Sequence, residues 1–245
     1  MATNDRWRGI LDDLGLAFLL LSRIPEPYRV NDARRTAQAA WAWPLVGAGI
    51  AVVASAVGAA SLWVGLPPSL AAVLMMAVMI VLTGGLHEDG LADTADGLWG
   101  GREPARRLEI MRDSRIGAYG TLAIMLMVLL RVVALAELLE ASRWLALPAA
   151  AMLSRAGMAG LMAALPPART DGLSQGTGQP PTLSVAIASV LAAAVSVVAL
   201  GGVAILAIGL GILALVGLAA LAKAKIGGQT GDILGAAQQI AEAIV

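Results

Sequence analysis

"SLAAVLMMAVMIVLTGGLHEDGLADTADGLWGGR", residues 69–102, begins as an apolar run and ends in a cluster of charge. A hydrocarbon layer of about 30 Å takes roughly 20 helical residues, so the run is long enough to cross a bilayer. Directly after it come Glu88, Asp89, Asp93 and Asp96, together with the chain's only histidine, His87. Backbone groups facing lipid find no water to bond, so such a run must be helical. The fold class that follows is all-α: a polytopic helical bundle in a membrane.

Composition points the same way. Of 245 residues, 58% are hydrophobic and 14% charged, with a mean hydropathy of +0.79. Soluble domains carry about a quarter charged residues. Further apolar runs lie at 41–65, 119–140, 144–165, 183–200 and 202–222, which with 69–86 make six candidate spans. Two segments are ambiguous. Residues 10–22 suit an interfacial amphipathic helix or a partial dip, and 231–245 look helical but short for a span. We therefore expect six to seven transmembrane helices in one domain, 1–245. Residues 166–182, including "PPARTDGLSQGTGQPP", are expected to be a mobile connection.

The absence of cysteine excludes disulfides and thiolate chemistry. A formal net charge of zero provides no field for nucleic acid. The apolar run Leu14 to Leu21 is short and leads into Ser22-Arg23, unlike a signal-peptide cleavage site. Charge is distributed unevenly between the loops. Arg6, Arg8, Arg23, Arg29, Arg34 and Arg35 precede the first run, and Arg102, Arg106, Arg107, Arg112 and Arg115 follow the second. Arg169, Lys223 and Lys225 fall on the same side, Arg143 alone on the other, and Arg131 and Arg155 within spans. The positive-inside rule then turns the motif loops toward the cytoplasm.

Three stretches carry chemistry. In the first, Asp89, Asp93 and Asp96 fall within an arc of about 60° if the segment is helical. Carboxylates that close repel one another unless a cation sits between them. Oxygen ligands favour a hard ion such as Mg²⁺. A solvated acidic loop is the plainer alternative, and Gly90 and Gly97 weaken a continuous helix. In the second stretch, "EIMRDSRIGAYG" (109–120), Arg112, Asp113, Ser114 and Arg115 precede a span. The guanidinium groups suit phosphate oxygens or lipid headgroups. In the third, "KAKIGGQTGDILGA" (223–236), Lys225, Gly228, Gln229, Thr230 and Asp232 form a glycine-rich turn that allows close approach to a ligand. It is not a Walker A loop, and an ordinary interhelical loop would look similar.

Arg131 and Arg155 should face a polar interior, with Glu137 a candidate partner. His87 is a candidate base or orienting group. Acids, guanidinium groups and glycines on one face suit phosphoryl transfer with a nucleotide-activated or lipid-like substrate.

"TGGLHEDGLADTADG", "LEIMRDSRIGAYG" and "GGQTGDILGA" resemble the signature segments of the cobalamin synthase family, the adenosylcobinamide-GDP ribazoletransferases. "LSRIPEP" (21–27) and "LSRAG" (153–157) are similar as well, so the resemblance runs from about residue 15 to 240. It implies an inner-membrane, Mg²⁺-dependent enzyme of cobalamin biosynthesis. Its substrates would be adenosylcobinamide-GDP and α-ribazole or its 5′-phosphate, with GMP released. The family's H-x-D-G-L-A-D-x-x-D-G core falls on His87, Asp89, Gly90, Asp93, Asp96 and Gly97, with Glu88 at a variable position. Asp89, Asp93, Asp96 and Asp232 would hold the metal. Arg112, Asp113, Ser114, Arg115, Arg155, Lys225, Gly228, Gln229 and Thr230 would contact substrate. An aspartate or His87 would accept the hydroxyl proton.

The family pattern also leads us to expect a longer final span than the one ending in "AEAIV". A CDP-alcohol phosphotransferase is a rival, but Asp93 stands where its D-G-x-x-A-R pattern would continue. A corrinoid transporter or assembly subunit is the non-enzymatic alternative. Gly47, Gly49, Gly209 and Gly211 permit close helix packing, within one chain or in a homo-oligomer.

Overall fold

The computed structural model describes residues 2–25 and 36–245. Arg29, Arg34, Arg35 and the end of "LSRIPEP" lie outside the described residues, as does the side chain of Arg6. Apolar helices dominate: α2 (Trp43–Trp63), α3 (Pro68–Thr83), α6 (Ala118–Glu140), α7 (Ala146–Ala164), α9 (Thr182–Leu200) and α10 (Val203–Ile226). These match the six expected runs. Among the described residues, five helices are long and apolar enough to cross a membrane, the first extended by a 3-10 segment, Thr36–Ala42. α3 is shorter and counts as a span only together with its neighbour.

That neighbour is α4 (Leu86–Gly100), which carries the acids. The second apolar run therefore ends three residues before the expected boundary, and α4 turns 87° away from α3. Two consecutive glycines make the corner. Gly84 and Gly85 have φ of +67° and +69°, a left-handed conformation that side chains disfavour. Their N–H groups donate to the carbonyls of Val81 and Ile80, closing the end of α3. α4 thus runs across the bundle instead of continuing the crossing. Gly90 and Gly97 do not break it.

α1 (Ala2–Leu21) settles the first ambiguous segment as a helix that is not among the spans. Trp7, Leu11 and Leu19 face outward while Asp12 and Asp13 are buried, and the Trp41 indole donates to Asp13 at 2.8 Å. Two short helices, α5 (Pro104–Ile110) and α8 (Leu173–Thr177), lie in the connections. The second ambiguous segment forms α11 (Gly231–Ile244), which packs inside the bundle against α4 and α7. Its interior place explains its length: it fills the bundle instead of crossing the bilayer.

Small residues set the close crossings. A Cβ on Gly47 would lie 2.5 Å from the Ala151 carbonyl oxygen, where α2 meets α7. Gly49 faces Phe18, whereas Gly209 and Gly211 have open space where a Cβ would go.

Candidate active site

α4 and α11 bring the first and third motifs together. Where they cross, a Cβ on Gly90 would lie 3.0 Å from the Asp232 carbonyl oxygen and 3.1 Å from the Gly235 Cα. A Cβ on Gly235 would likewise meet the Gly90 Cα at 3.2 Å. Only backbone fits there, and the result is that Asp89 and Asp93 face Asp232. Thr230 caps α11 by accepting from the Ile233 N–H at 3.3 Å, and its hydroxyl donates to Asp232 at 3.1 Å.

The acids divide by environment. Asp89 is exposed and Asp93 partly buried. Burial, followed by the charges of Asp89, Asp232 and Asp96, pushes the Asp93 carboxyl up to about 7. Burial also raises that of Asp232, against the opposing pull of Arg169 and Thr230. Asp96 is different. It is buried, and its two oxygens accept the N–H groups of Gly117 at 2.7 Å and Gly120 at 2.9 Å. A Cβ on either glycine would lie 2.4 Å from an Asp96 oxygen. The glycines of the second motif thus admit a carboxylate to the start of α6, where unpaired N–H groups favour negative charge.

A cavity of about 120 Å³ opens beside these groups. His87, Asp89, Asp232 and Arg169 supply its ionisable lining, with Ser174 and Thr177 beside them, while Trp43, Met158 and Met162 are among its apolar walls. His87 is only 2% exposed, and its Nε2 has no hydrogen-bond partner. Burial, then Arg155 and Arg131, hold its pKa well below the ordinary value, so the ring is neutral.

The donor set suits a hard cation in one particular way. Among the described residues, no three acidic or histidine side chains are grouped closely enough to hold an ion alone. A pair of carboxylates on an open cavity instead suits Mg²⁺, which fills its remaining positions with water and substrate phosphate.

Several expected substrate contacts have other partners. Arg112 pairs with Asp171 at 2.5 Å, and Arg115 with Asp113 at 2.7 Å. The hydrogen bonds from Arg115 hold the Asp113 carboxyl down at about 2, and Ser114 is exposed beside it. Lys225 donates to the Leu98 carbonyl at 2.7 Å and sits 4.4 Å from the centre of the Trp99 ring, fastening the end of α4. Gly228 and Gln229 hold the 166–182 connection: Ala168 and Gln229 N–H groups donate to Gln229 and Pro166 carbonyls, each at 2.8 Å. A Cβ on Gly228 would lie 2.1 Å from the Pro166 oxygen. The segment expected to be mobile is therefore anchored to the third motif.

Arg155 is buried away from the cavity's lining. It donates to Glu242, as does Arg131, and Arg131 also donates to Gln239 at 2.8 Å. Gln239 in turn donates to Glu88 at 3.0 Å. Arg131 therefore pairs with Glu242 and Glu88 instead of the expected Glu137. Sequence reading missed Glu242, Gln238, Gln239 and Arg169. A polar stripe at 238, 239 and 242 in an apolar bundle was a signal for an inward-facing surface.

The pattern of the family described as cobalamin-5-phosphate synthase matches residues 13–245. The chain belongs to that family. Relatives named adenosylcobinamide-GDP ribazoletransferase cover it nearly end to end. The protein of Bradyrhizobium diazoefficiens is 47% identical over 97% of this chain and 93% of its own. That of Mesorhizobium japonicum is 43% identical over 97% and 92%, and that of Azorhizobium caulinodans 46% over 95% and 93%. No solved structure matches. Of the segments quoted for the resemblance, the first and third meet at the α4–α11 crossing, and the second joins α4 through Asp96.

Proposed function

We propose that the chain transfers the cobinamide phosphate group of adenosylcobinamide-GDP to α-ribazole or its 5′-phosphate, releasing GMP. Family membership supports this reading, and one structural observation carries it: carboxylates from the first and third motifs converge beside a cavity at the α4–α11 crossing. Asp89 and Asp232, with Asp93 beside them, would hold Mg²⁺ together with substrate phosphate. Asp96, occupied by two backbone N–H groups, positions the second motif and is left out of this set. When bound, the ion would supply charge neutralisation for a pyrophosphate and its leaving group.

In the reaction, a ribazole hydroxyl oxygen bonds to the phosphorus nearest the cobinamide. The pyrophosphate P–O bond to the GMP side breaks, and GMP departs with the bridging oxygen. The hydroxyl proton passes to a carboxylate of the set. The chain's contribution is mostly placement and electrostatics, as expected for phosphoryl transfer. Neutral His87 lines the cavity wall and orients the acceptor. The inner membrane is the proposed location, with the motif end toward the cytoplasm, supported by the loop asymmetry of Lys and Arg.

GMP release by the purified protein in detergent tests the proposal. Release that needs adenosylcobinamide-GDP, α-ribazole and Mg²⁺ together is the expected result. Release independent of α-ribazole would make the chain a hydrolase. Release independent of Mg²⁺ would remove the metal from the proposal.

A further inference from the structure

Arg169 stands apart from the other arginines of the motif end. Arg112 and Arg115 are exposed and bound to acids. The Arg169 side chain is 13% exposed, and its Nη2 lies 3.2 Å from Asp232. Its Nε and Nη1 are buried and have no hydrogen-bond acceptor; Asp171 is 3.9 Å from Nε, beyond hydrogen-bond reach. Buried donors in native proteins are nearly always satisfied, and guanidinium N–H groups accept no substitute but an acceptor.

Its placement is built, not incidental. Pro166 to Ala168 are locked to Gln229 by paired backbone hydrogen bonds, so Arg169 emerges at a fixed point beside α11. Gly172, with φ of +92°, passes the guanidinium closely; a Cβ there would lie 3.3 Å from Nε. Among the described residues lining the cavity, Arg169 is the only cation, facing Asp89 and Asp232. Two unfilled N–H groups on one buried guanidinium, next to a carboxylate pair, are complementary to an anion with several oxygens that also binds a divalent cation.

We propose that Arg169 is the phosphate receptor of this cavity, its Nε and Nη1 donating to oxygens of a pyrophosphate or nucleotide phosphate. The identity of that nucleotide as the GDP moiety rests on the function proposed above; the anion site itself does not.

The test is calorimetric binding of GMP and of inorganic pyrophosphate, each with Mg²⁺, to the full chain in detergent. Arg169→Gln should weaken both by about tenfold or more, the scale of a lost charge-assisted bond. Arg169→Lys, keeping the charge without the planar guanidinium, should recover part of the loss. Arg106→Gln, exposed on the same face, should bind as wild type. Unchanged affinity in Arg169→Gln would overturn the proposal and leave Arg169 a tether for Asp232, as would a loss fully accounted for by a fallen melting temperature. Arg169-dependent anion binding in a protein that releases no GMP would support the receptor while defeating the proposed reaction. Turnover with Arg169-independent binding would do the reverse.

Discussion

Asp93 and Asp96 lie on the same helix face, yet replacing them should have opposite consequences. Asp96→Ala leaves the Gly117 and Gly120 N–H groups without their acceptor, so we expect a loss of about 1–3 kcal/mol, read as a lower melting temperature in detergent. Asp93→Ala should abolish GMP release in a protein that melts no lower than wild type. The pH dependence of Asp93 has a defined sign. Folded, it keeps its proton up to about 7, whereas an unfolded aspartate loses it near ~3.9. In that window the folded state binds the extra proton, so its stability falls as pH rises. With divalent cations chelated, the melting temperature should decline from about pH 5 to about pH 7 and less steeply in Asp93→Asn. A wild-type slope no steeper than that of the variant would refute the assignment.

At the scale of elements, the α4–α11 crossing decides whether the motifs meet. Gly90→Ala pushes a methyl against the Asp232 backbone and should destabilise by about 1–3 kcal/mol while depressing turnover. Gly209→Ala, with open space around it, should change the melting temperature little. Much of this architecture was legible: apolar runs of span length gave the six helices, and the spacing of Asp89 and Asp93 placed both on one face. The rest depended on contacts far apart in the chain. α11 looked helical but short for a span, and nothing local announced that Gln239 and Glu242 meet arginines from two other helices. Arg169 sat in a Pro/Gly-rich loop whose order comes from a bridge to Gln229. Arg112 and Lys225 were sound phosphate candidates by type, but each has a partner that no local pattern announces.

For the whole molecule, the absence of cysteine makes topology directly measurable. Single cysteines at Arg102 and Thr170 should react with an impermeant maleimide from the cytoplasmic side, and one at Ser142 from the opposite side. Labelling of all three from one side would overturn the proposed orientation. The bundle's interior is held by charge as well as packing. Glu242→Ala removes the carboxylate shared by Arg131 and Arg155 and should lower stability by about 3–5 kcal/mol, measured by thermal unfolding in detergent.

That shared carboxylate has a consequence for biogenesis. Arg131 and Arg155 leave the ribosome well before Glu242, which follows the last span in sequence. Each arginine entering the bilayer on its helix carries an insertion penalty of about 2.5–3.5 kcal/mol. Glu88 is already present to offset part of it. The nascent chain must therefore hold two under-compensated cations among its helices until α11 docks. Neutralising them and bringing Asp232 to the cavity are then one event, the seating of α11.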